Sequence, residues 1–191
     1  MSSRRKPQRR PNLPPLSDPD RYLEQHLANE LHWLLRAANE WIVQDRLRLS
    51  IDGYHCQVYA MDSAFLHART LFEFFTSSQT GSNYYTVDQF GLMALDSPPY
   101  RTGWKSGLHE YLMHAQEREN QRPLTDVKGT EKLLKMMAPD FAAEIVRVWE
   151  EFVDGLRSAG RDATADLAAS ILLEAQEQAA RVLTSKMAAG L

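Results

Sequence analysis

Apolar residues recur at helical spacing through the middle of the chain, most clearly over residues 54–75. At about 100° per residue, the apolar residues of this stretch share one wide arc, which predicts a central helix ending near Thr76. A mostly polar stripe runs beside the arc, and His67 lies on the opposite flank. The arc comprises Tyr54, Met61, Ala64, Phe65, Ala68, Leu71, Phe72 and Phe75, and the stripe comprises His55, Asp62, Leu66, Arg69 and Glu73.

The same periodicity predicts helices before and after the central one. Ser17 or Asp18 can cap a first helix, which has Pro19 in its first turn and runs to about Arg46. Residues 50–53 are expected to form a turn, and residues 96–100 a break. Further helices are expected over residues 104–120, 125–137, 140–159 and 163–189, with Gly160 as a breaker. Because β-branched residues never cluster in alternation, we predict an all-α, antiparallel helical bundle.

Charge and proline divide the chain into three parts: a tail over residues 1–16, a bundle over 17–160 and an Ala-rich C-terminal helix over 161–191. The tail has four prolines and a basic cluster, which favours a disordered or extended segment. The total formal charge is −3, and since residues 1–12 contribute +5, the remainder is at −8. The acidic remainder argues against a broad nucleic-acid surface on the bundle. The basic cluster comprises Arg4, Arg5, Lys6, Arg9 and Arg10.

Two interpretations of the tail stay open: a solubilising or packing arm, or an arm attracted to RNA, DNA or an acidic partner. The C-terminal helix is expected to pack on the bundle or on a partner protein. The single cysteine, Cys56, excludes an internal disulfide and is expected to be a small core residue. No apolar run approaches about 18 residues, so we expect no membrane span, no membrane partner and a cytoplasmic location.

The histidines do not have the spacing of a metal site. His109-Glu110 and His114 suggest HExxH, but the two histidines are five residues apart and cannot share one helix face. Cysteine ligands are also excluded, and the chain has no Gly-rich phosphate loop. We therefore expect neither a metal site nor a cofactor.

One candidate cluster lies on the predicted helix over residues 104–120. His114 shares a face with Glu110 and Arg118, with Tyr111 one turn back. Glu110 can orient the imidazole, and the cluster then places a base beside a phosphate-binding cation. The same spacing also fits a solvated helix face with ordinary ion pairs.

A second candidate group lies on the central helix, where Arg69 can pair with Glu73 at i+4 and with Asp62 at i−7. His67 and Arg69 point to different sides of this helix, so only a second helix brings either of them to His114. The alternative is that Arg69 is a carboxylate-satisfied arginine that fixes helix packing.

Two segments carry a resemblance to a known family: FLHARTLFEFF at residues 65–75 and LHEYLMHAQER at residues 108–118. They resemble a group of uncharacterised bacterial helical proteins, which is similar to the HEPN superfamily. The resemblance covers residues 31–119. The matching positions are His67, Arg69, Leu71, Glu73, Phe74, His114 and Arg118.

The resemblance implies an all-α HEPN-like bundle, a homodimer and metal-independent RNA cleavage. In that chemistry a histidine moves the proton of the ribose 2′-hydroxyl, and an arginine stabilises charge on the phosphate. Active members carry an R-x4-6-H motif, and this chain has Leu108-His109 where those members have Arg-Asn. If the chain is an enzyme, Arg69 or Arg118 has to replace that arginine.

Two functions remain open from the sequence. The first is an RNA-directed module of a bacterial defence or toxin–antitoxin type system, with His114, Arg118, Arg69 and His67 as catalytic candidates. In that hypothesis Asp62, Glu73, Glu110 and Tyr111 support the site, and the basic tail binds RNA phosphates. The second is a non-catalytic interaction or scaffold protein, in which the polar cluster is structural and the C-terminal helix docks a partner.

Overall fold

The computed structural model describes residues 16–46, 51–78, 85–113 and 137–188. Within these ranges the regular structure is entirely helical, which confirms the all-α prediction. The predicted helix over 125–137 and the second half of the one over 104–120 lie outside the described residues, as does the tail before Leu16.

Helix α1 comprises three consecutive stretches, Pro19–Tyr22, the π-helical Leu23–Leu27 and Ala28–Arg46. Asp18 caps it, because its Oδ1 accepts a hydrogen bond from the Arg21 backbone N–H at 2.9 Å. Pro19 in the first turn has no N–H to leave unsatisfied. The buried face is formed by Leu23, Leu27, Leu31, Leu34, Leu35, Ala38 and Trp41.

Helix α2 spans Ile51–Thr76 and is the centre of the core. Six residues of its predicted apolar arc are fully buried, namely Ala64, Phe65, Ala68, Leu71, Phe72 and Phe75. The turn expected over residues 50–53 is wrong, because the helix already begins at Ile51. The expectation for Cys56 is also wrong, because this side chain is exposed. Cys56 lies one turn before the buried Ala60, on the flank of the arc near the helix start.

The connection after α2 contains a 3-10 turn, Val87–Phe90, whose Val87 and Phe90 side chains are buried. The Leu95 N–H donates to the Phe75 carbonyl at 2.8 Å and ties this connection to the end of α2. The break expected over residues 96–100 is shorter than predicted. Helical geometry already begins at the two prolines that precede the π-helical Tyr100–Trp104, and helix α3, Lys105–Met113, follows directly.

Helix α4 spans Ala138–Ser158 and helix α5 spans Asp162–Ala188. Between them Gly160 has a φ of 72°, a left-handed conformation that favours glycine and ends α4 as predicted. Helix α5 packs against α1 and α4, and α2 packs against α1, α3 and α4. Five apolar residues of α5 are buried: Ala165, Ala168, Leu172, Ala175 and Ala179.

Aromatic side chains from three parts of the chain meet in the core. Phe72 of α2 stacks on Tyr100 with ring centroids 4.6 Å apart, and Trp104 meets Phe141 of α4 edge-on at 4.7 Å. The fully buried Trp149 donates its indole N–H to the Ala168 carbonyl of α5 at 2.9 Å. These contacts fix α2, α3, α4 and α5 against one another. Among the described helices, none is both long and apolar enough to cross a membrane.

Candidate functional site

His67 of α2 is bound to a carboxylate of the neighbouring helix. Its Nδ1 lies 2.7 Å from Oε2 of Glu30 on α1, and the two side chains are 17% and 30% exposed. A proton on Nδ1 makes this contact a charge-assisted hydrogen bond to the carboxylate. The Glu30 contact therefore fixes the orientation of the imidazole and joins α1 to α2.

Tyr22 lies about two turns before Glu30 on α1. Burial raises the pKa of the Tyr22 hydroxyl, and the nearby Glu30 and Tyr85 raise it further. The Tyr22 ring is 5.0 Å from the His26 ring and 5.3 Å from the Tyr85 ring, measured between centroids. His67 binds Glu30, and the Tyr22 ring lies 6.3 Å from the Phe74 ring of α2, so both polar side chains lie where α1 meets α2.

Sequence reasoning did not identify Glu30 or Tyr22. Glu30 borders the buried Leu31 and Leu34 on α1, and an acid at the edge of an apolar face is a weak signal of an interhelical partner. The signal points to His67 only when the register between α1 and α2 is known, and the sequence does not supply that register.

Arg69 makes the i+4 contact that the spacing indicates, with its Nε donating to Oε1 of Glu73 at 3.0 Å. The Arg69 side chain is 30% exposed and that of Glu73 is 23% exposed. Asp62 lies two turns earlier on the same stripe of α2 and is half-buried. The three residues therefore share one surface, on the flank of α2 opposite His67.

The remaining candidate residues lie later in the sequence or in the N-terminal tail. Glu110 and Tyr111 belong to α3, while His114 and Arg118 lie outside the described residues. The basic residues of the tail also lie outside them. The contact between His114 and Arg69 that an active site needs thus stays a prediction. Among the described residues, no group of three or more His, Cys, Asp or Glu side chains could hold a metal ion.

A shallow recess of about 320 Å³ lies at the start of α1. It is lined by Leu16, Ser17, Asp18, Arg21, Tyr22, Gln25 and His26. Its volume is near the lower end for small-molecule sites. Arg21 donates from Nε to the Gln25 amide oxygen at 3.1 Å, so two of the polar lining groups already bind each other.

A further cluster fastens the segment before α3 to helix α4. The buried Ser97 donates its hydroxyl to Glu144 Oε1 at 2.7 Å, and Arg147 binds both Glu144 and the Asp96 carbonyl. Burial alone raises the pKa of Glu144, but the hydrogen bonds from Arg147 and Ser97 and the charge of Arg147 bring it below its ordinary value. This cluster is saturated with internal partners, which fits a structural role.

These features define an all-α protein with an interhelical His–Glu pair and a charged stripe on its central helix. No protein-family model, curated protein or solved structure matches this chain.

Proposed function

We propose that this chain is a non-catalytic, HEPN-like interaction module of antiparallel helices, acting in the bacterial cytoplasm. One observation carries the proposal: His67 and Arg69, two of the candidate catalytic residues, are bound by carboxylates of their own chain, Glu30 and Glu73. His67 is held at Nδ1 by a carboxylate of another helix, and the charge of Arg69 is neutralised within its own helix. Both arrangements stabilise the packing of the helices.

The antiparallel arrangement in this proposal is supported by the Glu30–His67 contact. Glu30 precedes the end of α1 at Arg46 by as many residues as His67 follows the start of α2 at Ile51. Two consecutive helices that meet at equal distances from their connection run in opposite directions. The sequence also predicts an antiparallel bundle.

Helix α5 provides the surface for a protein partner in this proposal. Its inner face is buried against α1 and α4, while Leu173 on the outer side is 59% exposed. An exposed leucine on a long helix can anchor a partner, because its burial removes apolar surface from water. Co-purification from the native host with identification of bound proteins tests this directly. We expect Leu173→Glu to lose the partner, and a partner retained by this variant contradicts the α5 surface.

The structural role of the His67–Glu30 pair has its own test, a double-mutant cycle on the free energy of unfolding. We expect His67→Ala and Glu30→Ala to show a coupling of about 1 kcal/mol, because the pair is partly buried and joins two helices. The matched control is Arg69→Ala with Glu73→Ala, a pair within one helix, for which about 0.3–0.5 kcal/mol is expected. A His67–Glu30 coupling near zero contradicts the structural role.

A second candidate function is the RNA-directed module, with metal-independent cleavage by His114, Arg118, Arg69 and His67. The observation in its favour is the 30% exposure of the Arg69 side chain, which leaves part of the guanidinium facing solvent beside its Glu73 partner. The test is cleavage of labelled RNA in the presence of a chelator, by the parent protein and by His114→Ala. Cleavage by the parent protein that is lost in His114→Ala supports this function. If the parent protein leaves the RNA uncleaved, the result supports the interaction module.

A further inference from the structure

The first turn of α1, Pro19–Tyr22, differs from the rest of that helix in how it is held. The fully buried leucines of α1 begin only at Leu23, and no residue of the first turn is buried. The π-helical stretch Leu23–Leu27 then separates this turn from the regular helix Ala28–Arg46, because its hydrogen bonds close a wider ring. Apolar burial therefore fixes α1 from Leu23 onward, and the first turn depends on other contacts.

Polar groups at the junction of α4 and α5 hold this first turn. The Thr164 hydroxyl on α5 donates to Asp20 Oδ1 at 2.8 Å, and Nη2 of Arg161 lies 3.5 Å from the same oxygen. Nη1 of Arg161 also donates to the Phe90 carbonyl at 2.9 Å, so one guanidinium joins α1 to the connection after α2. Because the Asp20 side chain is 49% exposed, water competes for these bonds. The first turn is therefore held less firmly than the buried helix that follows it.

The Tyr22 side chain, at the end of this turn, covers an aromatic edge of the core. Its ring centroid lies 5.3 Å from that of Tyr85 and 6.3 Å from that of Phe74. Phe74 is buried and also meets the rings of Phe90 and Phe152 edge-on. A displacement of Tyr22 therefore uncovers the part of the core where the end of α2 meets α4.

We propose that the first turn of α1 is a lid, which opens and closes over this aromatic edge while the rest of the bundle stays folded. Asp20, Thr164 and Arg161 hold the lid closed, and the lid ends at the π-helical stretch Leu23–Leu27. Segments with few buried apolar contacts open locally at a lower free energy than the whole domain. The inference goes beyond the proposed function, because it concerns a motion of α1 and not the partner surface of α5.

The first experiment measures amide hydrogen exchange of the full chain at residue resolution by NMR. The N–H groups of Arg21, Tyr22 and Leu23 report on the lid, since each donates to an oxygen of the same turn or of its cap. We expect Thr164→Val to accelerate exchange of these amides about three- to tenfold, because valine keeps the shape of threonine and removes the donor to Asp20. The three amides should share one opening equilibrium. A graded series from Arg21 to Leu23 indicates fraying of a helix end and overturns the proposal.

Two variants are matched controls for this measurement. Thr164→Ser keeps the hydroxyl and should exchange like the parent. Asp166→Asn removes an ion pair with Arg157, 3.4 Å long, that joins α4 to α5 without involving α1, and should leave exchange of the lid unchanged. If Thr164→Val accelerates all amides of α1 equally, it destabilises the whole bundle and no separate lid exists. If it accelerates none of them, Thr164 does not hold the lid closed, and the assignment is also overturned.

The second experiment tests what the open lid uncovers. The dye anilinonaphthalene sulfonate becomes fluorescent on exposed apolar surface. Under native conditions Thr164→Val should give more dye fluorescence than Thr164→Ser, because it raises the population of the open state. Tyr22→Ala is the positive control, since it removes the cover while the bonds of Asp20 remain. Equal dye fluorescence of the Val and Ser variants, together with faster exchange of the lid, means that the aromatic edge stays covered and overturns the lid.

Discussion

Among single residues, the structure distinguishes charges that face solvent from charges that have a partner on another element. Glu30 and Glu144 are the clearest of the second kind, because each binds a side chain from a different helix or segment. Neither partner could be predicted from the sequence, since Glu30 lies 37 residues from His67 and Glu144 lies 47 residues from Ser97. The Arg69–Glu73 contact could be, because i+4 spacing on one helix fixes the distance between side chains.

The lowered pKa of Glu144 predicts a pH dependence of stability. A carboxyl whose pKa is lower in the folded state than in the unfolded state stabilises the fold above its unfolded pKa, about 4.3, and this contribution is lost as pH falls through the folded value. We therefore expect the free energy of unfolding to fall between about pH 5 and pH 3 more steeply in the parent than in Glu144→Gln. At pH 7 the variant should be less stable by about 1–3 kcal/mol, from lost hydrogen bonds to a charged group.

Glu151→Gln is the control for this measurement, made by chemical denaturation at each pH. Glu151 also binds Arg147, at 3.0 Å, but is 46% exposed and lies on the same helix. The expected loss at pH 7 is about 0.5 kcal/mol or less. Equal losses for the two variants would contradict the special role of Glu144.

Among the elements, the helices were easier to predict than their ends. The spacing predicts most of the buried arc of α2, because a helix buried on one side repeats its apolar residues every three or four positions. The helix start at Ile51 differs from the predicted turn, because Ser50 and Gly53 favour a turn only weakly and helix ends are the least certain part of such a prediction. Gly160 was predicted as a break because glycine tolerates the left-handed conformation that ends many helices.

The turn between α4 and α5 supplies a test at this scale. Gly160 has a φ of 72° and open space around its Cα, so a side chain there meets strain in the backbone and no clash. We expect Gly160→Ala to lower the free energy of unfolding by about 1–2 kcal/mol. Gly160→Asn should lose less, because asparagine enters the left-handed region more readily. Thermal unfolding of both variants measures the difference, and an equal loss for Ala and Asn would contradict the backbone explanation.

At the scale of the whole molecule, the sequence predicts an all-α protein, and the described helices confirm it. It could not predict how the candidate site is assembled, because that depends on the register between helices. His67 and Arg69 are two residues apart and yet have partners on opposite flanks of α2. A shared motif therefore does not imply a shared site.

The basic tail gives a prediction for the complete chain. If the tail binds RNA phosphates, replacing Arg4, Arg5, Lys6, Arg9 and Arg10 by Gln should reduce the dependence of log K on log salt concentration by about 3–4 units, at ~0.7 per charge on a single strand. Filter binding over a range of salt concentrations measures this slope. Arg157→Gln, which removes a half-exposed charge from the bundle, should leave the slope unchanged. If the tail substitutions leave the slope unchanged, the tail does not bind RNA phosphates.

The exposure of Trp33 gives the outer face of α1 its own fluorescence signal. Of the four tryptophans, Trp33 is 47% exposed, while Trp41, Trp104 and Trp149 are at most 8% exposed. A water-soluble quencher such as iodide should therefore extinguish mainly the fluorescence of Trp33. Its emission reports whatever covers that face, and the three shielded rings report the integrity of the interior.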